Sequence, residues 1–312
     1  MTKLGLTDLD VFPLCLGANV FGWTADRDRS FAVLDSYAAA GGNFVDTADV
    51  YPAWVPGNSG GESEVIIGEW LAARGNRDAV VVATKGSRLA PNTGLSAKAI
   101  HGAADASLRR LGVDTIDLYY AHYDDEDTPV AETVAAYDEL VRAGKVRYVA
   151  TSNMSPGRIA ESLAFADREG LARYVAVQPM YNLMDRATFE GELADLADRE
   201  RLAVLPYYGL ARGFLTGKYR PGGPVVDSPR AGGAVEYLDD RGLRVLGVLD
   251  EVAAAHATTV AAVALAWLVS RPTVVAPIAS ARNTRQLADL LPMASLELTQ
   301  AELSALDQTS NS

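Results

Sequence analysis

The sequence has one cysteine, Cys15, in 312 residues, so no intramolecular disulfide can form. Its opening Met-Thr-Lys-Leu-Gly lacks the charged n-region and long apolar h-region of a secretory signal. Both absences set a reducing, cytoplasmic compartment as the expectation. No apolar run approaches the ~20 residues of a membrane span. The longest, 260–269, stops at Ser270-Arg271-Pro272 and reads as a buried helix. No segment concentrates lysine and arginine, and a formal net charge of −12 opposes attraction to phosphate backbones or anionic lipid. Nucleic acid and membranes are therefore not expected partners. The three histidines are 21 and 134 residues apart with no HExxH spacing, so no metal site is expected.

What is present is a rhythm. Eight short apolar or β-branched runs occur at 11–16, 44–47, 80–84, 116–121, 146–151, 174–177, 203–206 and 274–278. Near-continuous apolarity suits strands buried on both faces. The first seven starts are 28 to 36 residues apart, the length of a strand-helix unit rather than of a hairpin. The intervening stretches carry helix punctuation: Thr128-Pro129, Ser155-Pro156 and Ser96 as starts, Gly144, Gly170 and Gly112 as stops. About half the residues are apolar, enough for one large core. The expectation is an α/β fold, a single (β/α)8 TIM barrel over 1–312, with residues 4–16 as an N-terminal β-hairpin closing the barrel floor. No GxGxxG follows the first run, which weakens an open doubly wound sheet. The last gap is longest and holds a Gly/Pro-rich stretch, Gly222-Gly223-Pro224 through Gly232-Gly233, read with its flanks (213–240) as a lid over a ligand.

Barrel enzymes carry their reacting groups at the C-terminal strand ends. Here the second to eighth runs lead to Asp46, Lys85, His122, Ser152-Asn153, Gln178, Tyr207, and Ser280 with Arg282. One polar residue after a strand needs no function, because strands must end. Seven in succession, with a lysine and a histidine directly abutting hydrophobic runs, point to a shared rim. Asp46, Tyr51, Lys85 and His122 form a coherent set. A carbonyl that accepts hydride becomes an alkoxide needing a proton, and a phenol of ordinary pKa about 10 supplies it poorly at neutral pH. A nearby ammonium lowers that pKa, and a carboxylate keeps a buried ammonium charged. Neutral His122 can donate one hydrogen bond to the substrate oxygen.

At these positions the sequence resembles the aldo-keto reductase family over essentially the whole chain. The most specific stretches are Gly41-Gly42-Asn43-Phe44-Val45-Asp46-Thr47-Ala48-Asp49-Val50-Tyr51, Val82-Ala83-Thr84-Lys85, Asp117-Leu118-Tyr119-Tyr120-Ala121-His122 and Gly213-Phe214-Leu215-Thr216-Gly217-Lys218-Tyr219. The resemblance implies that Asp46, Tyr51, Lys85 and His122 are a catalytic tetrad. It further implies that Ser152, Asn153 and Gln178 hold the nicotinamide carboxamide, that Tyr207 stacks on its ring, and that Leu210 and Lys218 lie along the pyrophosphate. Ser280, Arg282 and Gln286 would meet the adenosine end. Arg282 suits a 2′-phosphate, so NADPH is expected over NADH, and a small-molecule carbonyl is the expected substrate.

The chain departs from the family where Tyr208-Gly209-Leu210 replaces the usual Ser-Pro-Leu and where Leu290 replaces an asparagine four residues after Gln286. Gln286 equally fits the third position of a capping box begun by Asn283, and Arg282 a solvated first-turn residue. Phe21, Trp23, Trp54 and Tyr123 fall in loops where they can line an apolar substrate mouth. His101 and His256 read as surface or packing residues. Two other functions stay open: a Schiff-base barrel lyase using Lys85, and a slow-turnover, cofactor-binding regulatory subunit. Neither the substrate nor the oligomeric state is readable from the residues.

Overall fold

The computed structural model describes residues 1–223 and 226–311. Pro224 of the glycine-rich stretch lies outside them. Eight parallel strands form one curled sheet: β3 (Cys15–Gly17), β4 (Phe44–Asp46), β5 (Val81–Gly86), β6 (Ile116–Ala121), β7 (Val146–Ser152), β8 (Tyr174–Gln178), β9 (Ala203–Val204) and β10 (Ile278–Ala279), preceded by the hairpin strands β1 (Thr2–Lys3) and β2 (Asp10–Val11). Their order, β10-β3-β4-β5-β6-β7-β8-β9, is the sequence order with the last strand beside the first. The ring closes between β9 and the segment before β10: Val204 N donates to Thr273 O (2.9 Å), Val275 N to Val204 O (3.0 Å) and Ile278 N to Pro206 O (2.8 Å). A (β/α)8 barrel results.

Helices α1 (Arg27–Ala39), α2 (Glu62–Arg74), α3 (Ala97–Leu111), α4 (Val130–Arg142), α5 (Pro156–Glu169) and α6 (Glu192–Arg199) follow β3 to β8 in turn. The last gap holds α7 (Ala231–Val235), α8 (Asp240–Ala255) and α9 (Val260–Val269), and α10 (Thr284–Leu290) and α11 (Gln300–Ser310) end the chain. Ser96 and Ser155 cap α3 and α5 by accepting the Ala99 and Arg158 N–H groups, and Gly112 and Gly170 end them with φ of 63° and 66°, which a Cβ would oppose. Among the described residues no single helix is long and apolar enough to cross a membrane. The apolar α9 is buried, as expected.

Three boundaries differ from the sequence reading. The run 11–16 is split, with Val11 pairing in the hairpin and Cys15 opening the barrel strand; Pro13 between them removes a backbone donor. Likewise Pro277 breaks the run 274–278, leaving Val274 a lone bridge to Val204 before β10 begins. Thr128 does not cap α4: its hydroxyl donates to Asp125 Oδ2 (2.7 Å), and Pro129 stands just before the first helical residue. The 213–240 stretch is also less bare than its composition suggests. Phe214, Leu215, Tyr219 and Ala234 are buried, and Tyr237 Oη donates to Asp185 Oδ2 (2.8 Å).

Two cores flank the sheet. Leu16, Val45, Val82, Tyr119, Val149 and Val177 face the helices, whereas Phe44, Val81, Ala83, Leu118, Ala150 and Ala176 face inward with Leu4, Leu9 and Val11 of the hairpin, which plugs the floor. This period-two alternation makes the inward faces of neighbouring strands a stack of layers. Outside the sheet, α2 and α3 approach so closely that a Cβ on Gly68 would press on the Leu111 carbonyl. Gly68→Ala is therefore expected to lower stability by about 1–3 kcal/mol, read as a shift of the urea midpoint at unchanged slope. An unchanged midpoint would mean that the two helices separate freely.

Candidate active site

The same alternation that buries Phe44, Ala83, Tyr120, Ala150 and Ala176 brings the next inward residue of each strand to the top layer. Those residues are Asp46, Lys85, His122, Ser152 and Gln178. Lys85 has no exposed surface and Asp46 and His122 have 3% and 7%. An unpaired buried ammonium would be costly, and Lys85 Nζ donates to Asp46 Oδ2 (2.6 Å) and to Thr47 O (2.8 Å). The second Asp46 oxygen accepts from Gln178 Nε2 (3.0 Å), and Gln178 O accepts from Ser152 Oγ (2.8 Å). Asn153, with φ of 51°, donates through Nδ2 to His122 O (2.9 Å) and accepts at Oδ1 from Tyr207 Oη (2.9 Å). One polar chain thus links six strand ends.

Tyr51 enters from the loop after β4. Its carbonyl accepts from Gly61 N (3.1 Å) and Ser63 N (3.3 Å), tying the loop to the start of α2. Lys85 Nζ lies 5.1 Å from the Tyr51 ring centroid, and the His122 ring meets it edge-on at 5.9 Å. The structure therefore brings the four expected residues together. Burial pushes the Tyr51 phenol up; Lys85 pulls it down without overcoming burial, and the group stays above its ordinary value. The expectation that the Lys85 ammonium, kept charged by Asp46, lowers the phenol pKa is corrected here: its pull is real but burial outweighs it. For Lys85 burial works against the charge, but Asp46 and Tyr51 outweigh it and hold the ammonium above its usual range. Burial, then Lys85 and Arg88, push His122 well below the usual imidazole range, so it is neutral near pH 7, with Nδ1 buried and unpartnered.

Above these groups opens a cavity of about 1100 Å³. Asp46, Tyr51 and His122 line it, and so do Ser280, Arg282 and Gln286. Ser152, Asn153, Gln178, Tyr207, Leu210 and Lys218 border it too, whereas Lys85, fully buried, does not. Ser280 Oγ donates to Asn19 Oδ1 (2.7 Å). Gln286 adopts the capping geometry weighed above in part: its N–H donates to Asn283 Oδ1 (2.9 Å), while its Oε1 accepts from Arg282 N (2.9 Å). Leu290 also borders the cavity.

Trp23, Trp54 and Tyr123 border the mouth, but Phe21 does not: it is fully buried beneath the loop and packs in the core. His101 and His256 lie away from the cavity, beside Glu139 (3.2 Å) and Glu302 (2.9 Å). No cluster of three metal-ligating side chains occurs among the described residues. Sequence reading missed Arg88 and Arg230, both on the cavity wall. Arg88 was within reach, three residues past Lys85 on the same rim. Arg230 carried no local signal, since only the path of the long last loop brings it to the site. Among the described residues neither of them, nor Lys218 or Arg282, has a carboxylate partner within 4.0 Å. Desolvation and then Arg282 and Arg230 pull the Lys218 ammonium below its usual value.

A family model described as the aldo/keto reductase family matches residues 13–311. Norsolorinic acid reductase B of Aspergillus parasiticus is 32% identical, covering 95% of this chain and 80% of its own. An uncharacterized oxidoreductase, YrpG, of Bacillus subtilis is 33% identical over 98% and 94% of the two chains. Protein tas of Escherichia coli is 30% identical over 97% and 96%.

Removing one partner of a buried pair leaves the other uncompensated. Lys85→Met is expected to cost about 3–5 kcal/mol in chemical denaturation, and adding Asp46→Asn to recover a substantial part of it. Additive losses in the double variant would show that the two groups do not stabilise one another.

Proposed function

The chain belongs to the aldo/keto reductase family, and from that membership and the geometry of the site we propose that it reduces an aldehyde or ketone to an alcohol with a nicotinamide cofactor, using Tyr51 as proton donor. The observation that carries the reading is the continuity of one cavity, from Tyr51 and His122 to a cluster of cations, Lys218, Arg230 and Arg282, without carboxylate partners. A depressed ammonium beside two guanidinium groups is a site that anionic phosphate relieves. On this reading Ser152, Asn153 and Gln178 hold the carboxamide, and Tyr207 flanks the ring. Leu210 and Lys218 lie along the pyrophosphate, and Ser280, Arg282 and Gln286 meet the adenosine end, with NADPH preferred.

When bound, the cofactor supplies a hydride to the carbonyl carbon. Neutral His122 donates a hydrogen bond to the carbonyl oxygen, which orients it and stabilises its developing charge. The oxygen then takes the Tyr51 phenolic proton. Charged Lys85, in contact with the ring, stabilises the phenolate left behind, and Asp46 keeps Lys85 charged until solvent restores the proton. A Schiff-base role for Lys85 fits poorly. An amine nucleophile must be neutral and reachable, and this one is a paired ammonium with no exposed surface. We further propose that residues 1–312 act as one domain in the cytoplasm, where the buried Cys15 stays reduced.

Tyr51→Phe should reduce the chemical rate by roughly 100-fold or more, with cofactor affinity within a few-fold in fluorescence titration. Near-normal turnover would remove Tyr51 from the mechanism. The pH dependence has a definite sign. Tyr51 donates while protonated and its pKa lies above the usual tyrosine value, so reduction should hold through neutral pH and fall only in strong alkali; alcohol oxidation needs the phenolate and should rise with pH. Neutral His122 should leave no inflection near pH 6.5 in kcat/KM. Arg282→Ala should weaken NADPH about ten- to hundredfold and NADH much less, and equal losses would make Arg282 structural.

A further inference from the structure

Seven large hydrophobic side chains are exposed among the described residues, and three of them, Trp54, Tyr123 and Tyr208, line the cavity above the candidate active site. They do so in contact with the proposed chemistry. Trp54 meets the Tyr51 ring edge-on at 5.7 Å, Trp23 meets Trp54 at 5.7 Å, and Tyr123 lies 5.1 Å from His122. Exposed aromatics normally cost solubility, and their concentration at one concave lip marks a surface kept for a flat apolar ligand. The lip is also charged. The Arg88 guanidinium lies 4.3 Å over the Tyr123 ring and acts on His122, and Arg230 lies 5.6 Å over the Trp23 ring. Neither has a carboxylate partner within 4.0 Å among the described residues, and Asp46, one of two carboxylates lining the cavity, is held by Lys85. In a chain of net charge −12, two guanidinium groups stacked on the aromatic lip without carboxylate partners make a local positive site.

Resting on the reductase reading above, we propose that the substrate is an aromatic carbonyl compound bearing an acidic substituent, a carboxylate or ionised phenol, and that Arg88 is the residue that selects it. The ring packs on the Trp23-Trp54-Tyr123 lip with its carbonyl toward Tyr51 and His122. Arg88, pre-oriented by stacking on Tyr123, pairs with the anionic substituent on the side away from Lys218 and Arg282. A guanidinium fork matches a carboxylate, whereas a lysine there would keep only the charge.

The test compares three probes of similar shape: 4-carboxybenzaldehyde, 4-formylbenzamide and (4-formylphenyl)trimethylammonium. Each is titrated against the NADP⁺-saturated protein by quenching of tryptophan fluorescence, and assayed for NADPH consumption. The carboxylate is expected to bind about five- to tenfold tighter than the amide and to show a similar advantage in kcat/KM, with the cation weakest. Arg88→Gln should bring carboxylate and amide within about twofold of each other, Arg88→Lys should retain part of the preference, and added salt should shrink it. Equal affinity for carboxylate and amide in the parent protein overturns the inference, as does a preference that survives Arg88→Gln. If the two aldehydes are reduced equally well, the inference fails and the reductase reading stands. If the carboxylate is bound preferentially but no aldehyde consumes NADPH, the reductase reading fails and the anion-selective mouth stands.

Discussion

Lys85 is a full positive charge with no exposed surface, placed in the polar upper layer of the barrel. A charge in that position is tolerated only if its neighbours compensate for lost water, and the arrangement of the rim follows from that need. Asp46 supplies the countercharge and Thr47 O a further acceptor. Gln178 occupies the second Asp46 oxygen, so the carboxylate faces Lys85 in one orientation. The ammonium that results is what Tyr51 and His122 respond to: it opposes the rise that burial imposes on the phenol and, after burial, helps keep the imidazole neutral. Burial sets the protonation of both groups, and the buried pair modulates each in turn.

Strand geometry makes that pair possible. Apolar inward residues fill the lower layers and the hairpin seals the floor with Leu4, Leu9 and Val11, so the polar layer rests on a dry core. Low surroundings of this kind strengthen each hydrogen bond in the rim, at the cost of requiring that almost all be made. The prolines at 13, 206 and 277 shorten the strands around the closure point, yet their carbonyls remain available: Pro206 O and Pro277 O accept from Ile278 N and Cys15 N.

Part of the backbone strain lies at the same rim. Asn153, Tyr208 and Arg212 adopt left-handed φ values of 51°, 55° and 57°, and all three line the cavity. Non-glycine residues hold such conformations only where the surrounding contacts determine them. Asn153 is held by His122 O and Tyr207, and Tyr208 by the Asn182 side chain donating to its carbonyl (3.0 Å). The Gly209 that departs from the family pattern sits in this strained turn, packed against Leu265 and Leu268 of α9.

Much of this was legible in the residues alone. Apolar runs at regular spacing specify parallel strands because burial on both faces needs that composition, and the Asp46, Lys85, His122 and Gln178 positions follow from where each run stops. Parity then explains why these side chains share one layer: a period of two is a local property of extended backbone and is carried by any sequence that forms it. Strand limits near Pro13 and Pro277 were less legible, since an apolar run does not by itself reveal which backbone donors find partners. The placement of Phe21 and Arg230 belonged to tertiary structure entirely. One loop folds inward so that its aromatic ring completes the core, and another crosses some 25 residues of glycine-rich chain to deliver a guanidinium to the cavity wall. The Tyr51 pKa was likewise decided in three dimensions: sequence proximity identifies the neighbouring charges, but the depth of burial that outweighs them exists only once the barrel has closed.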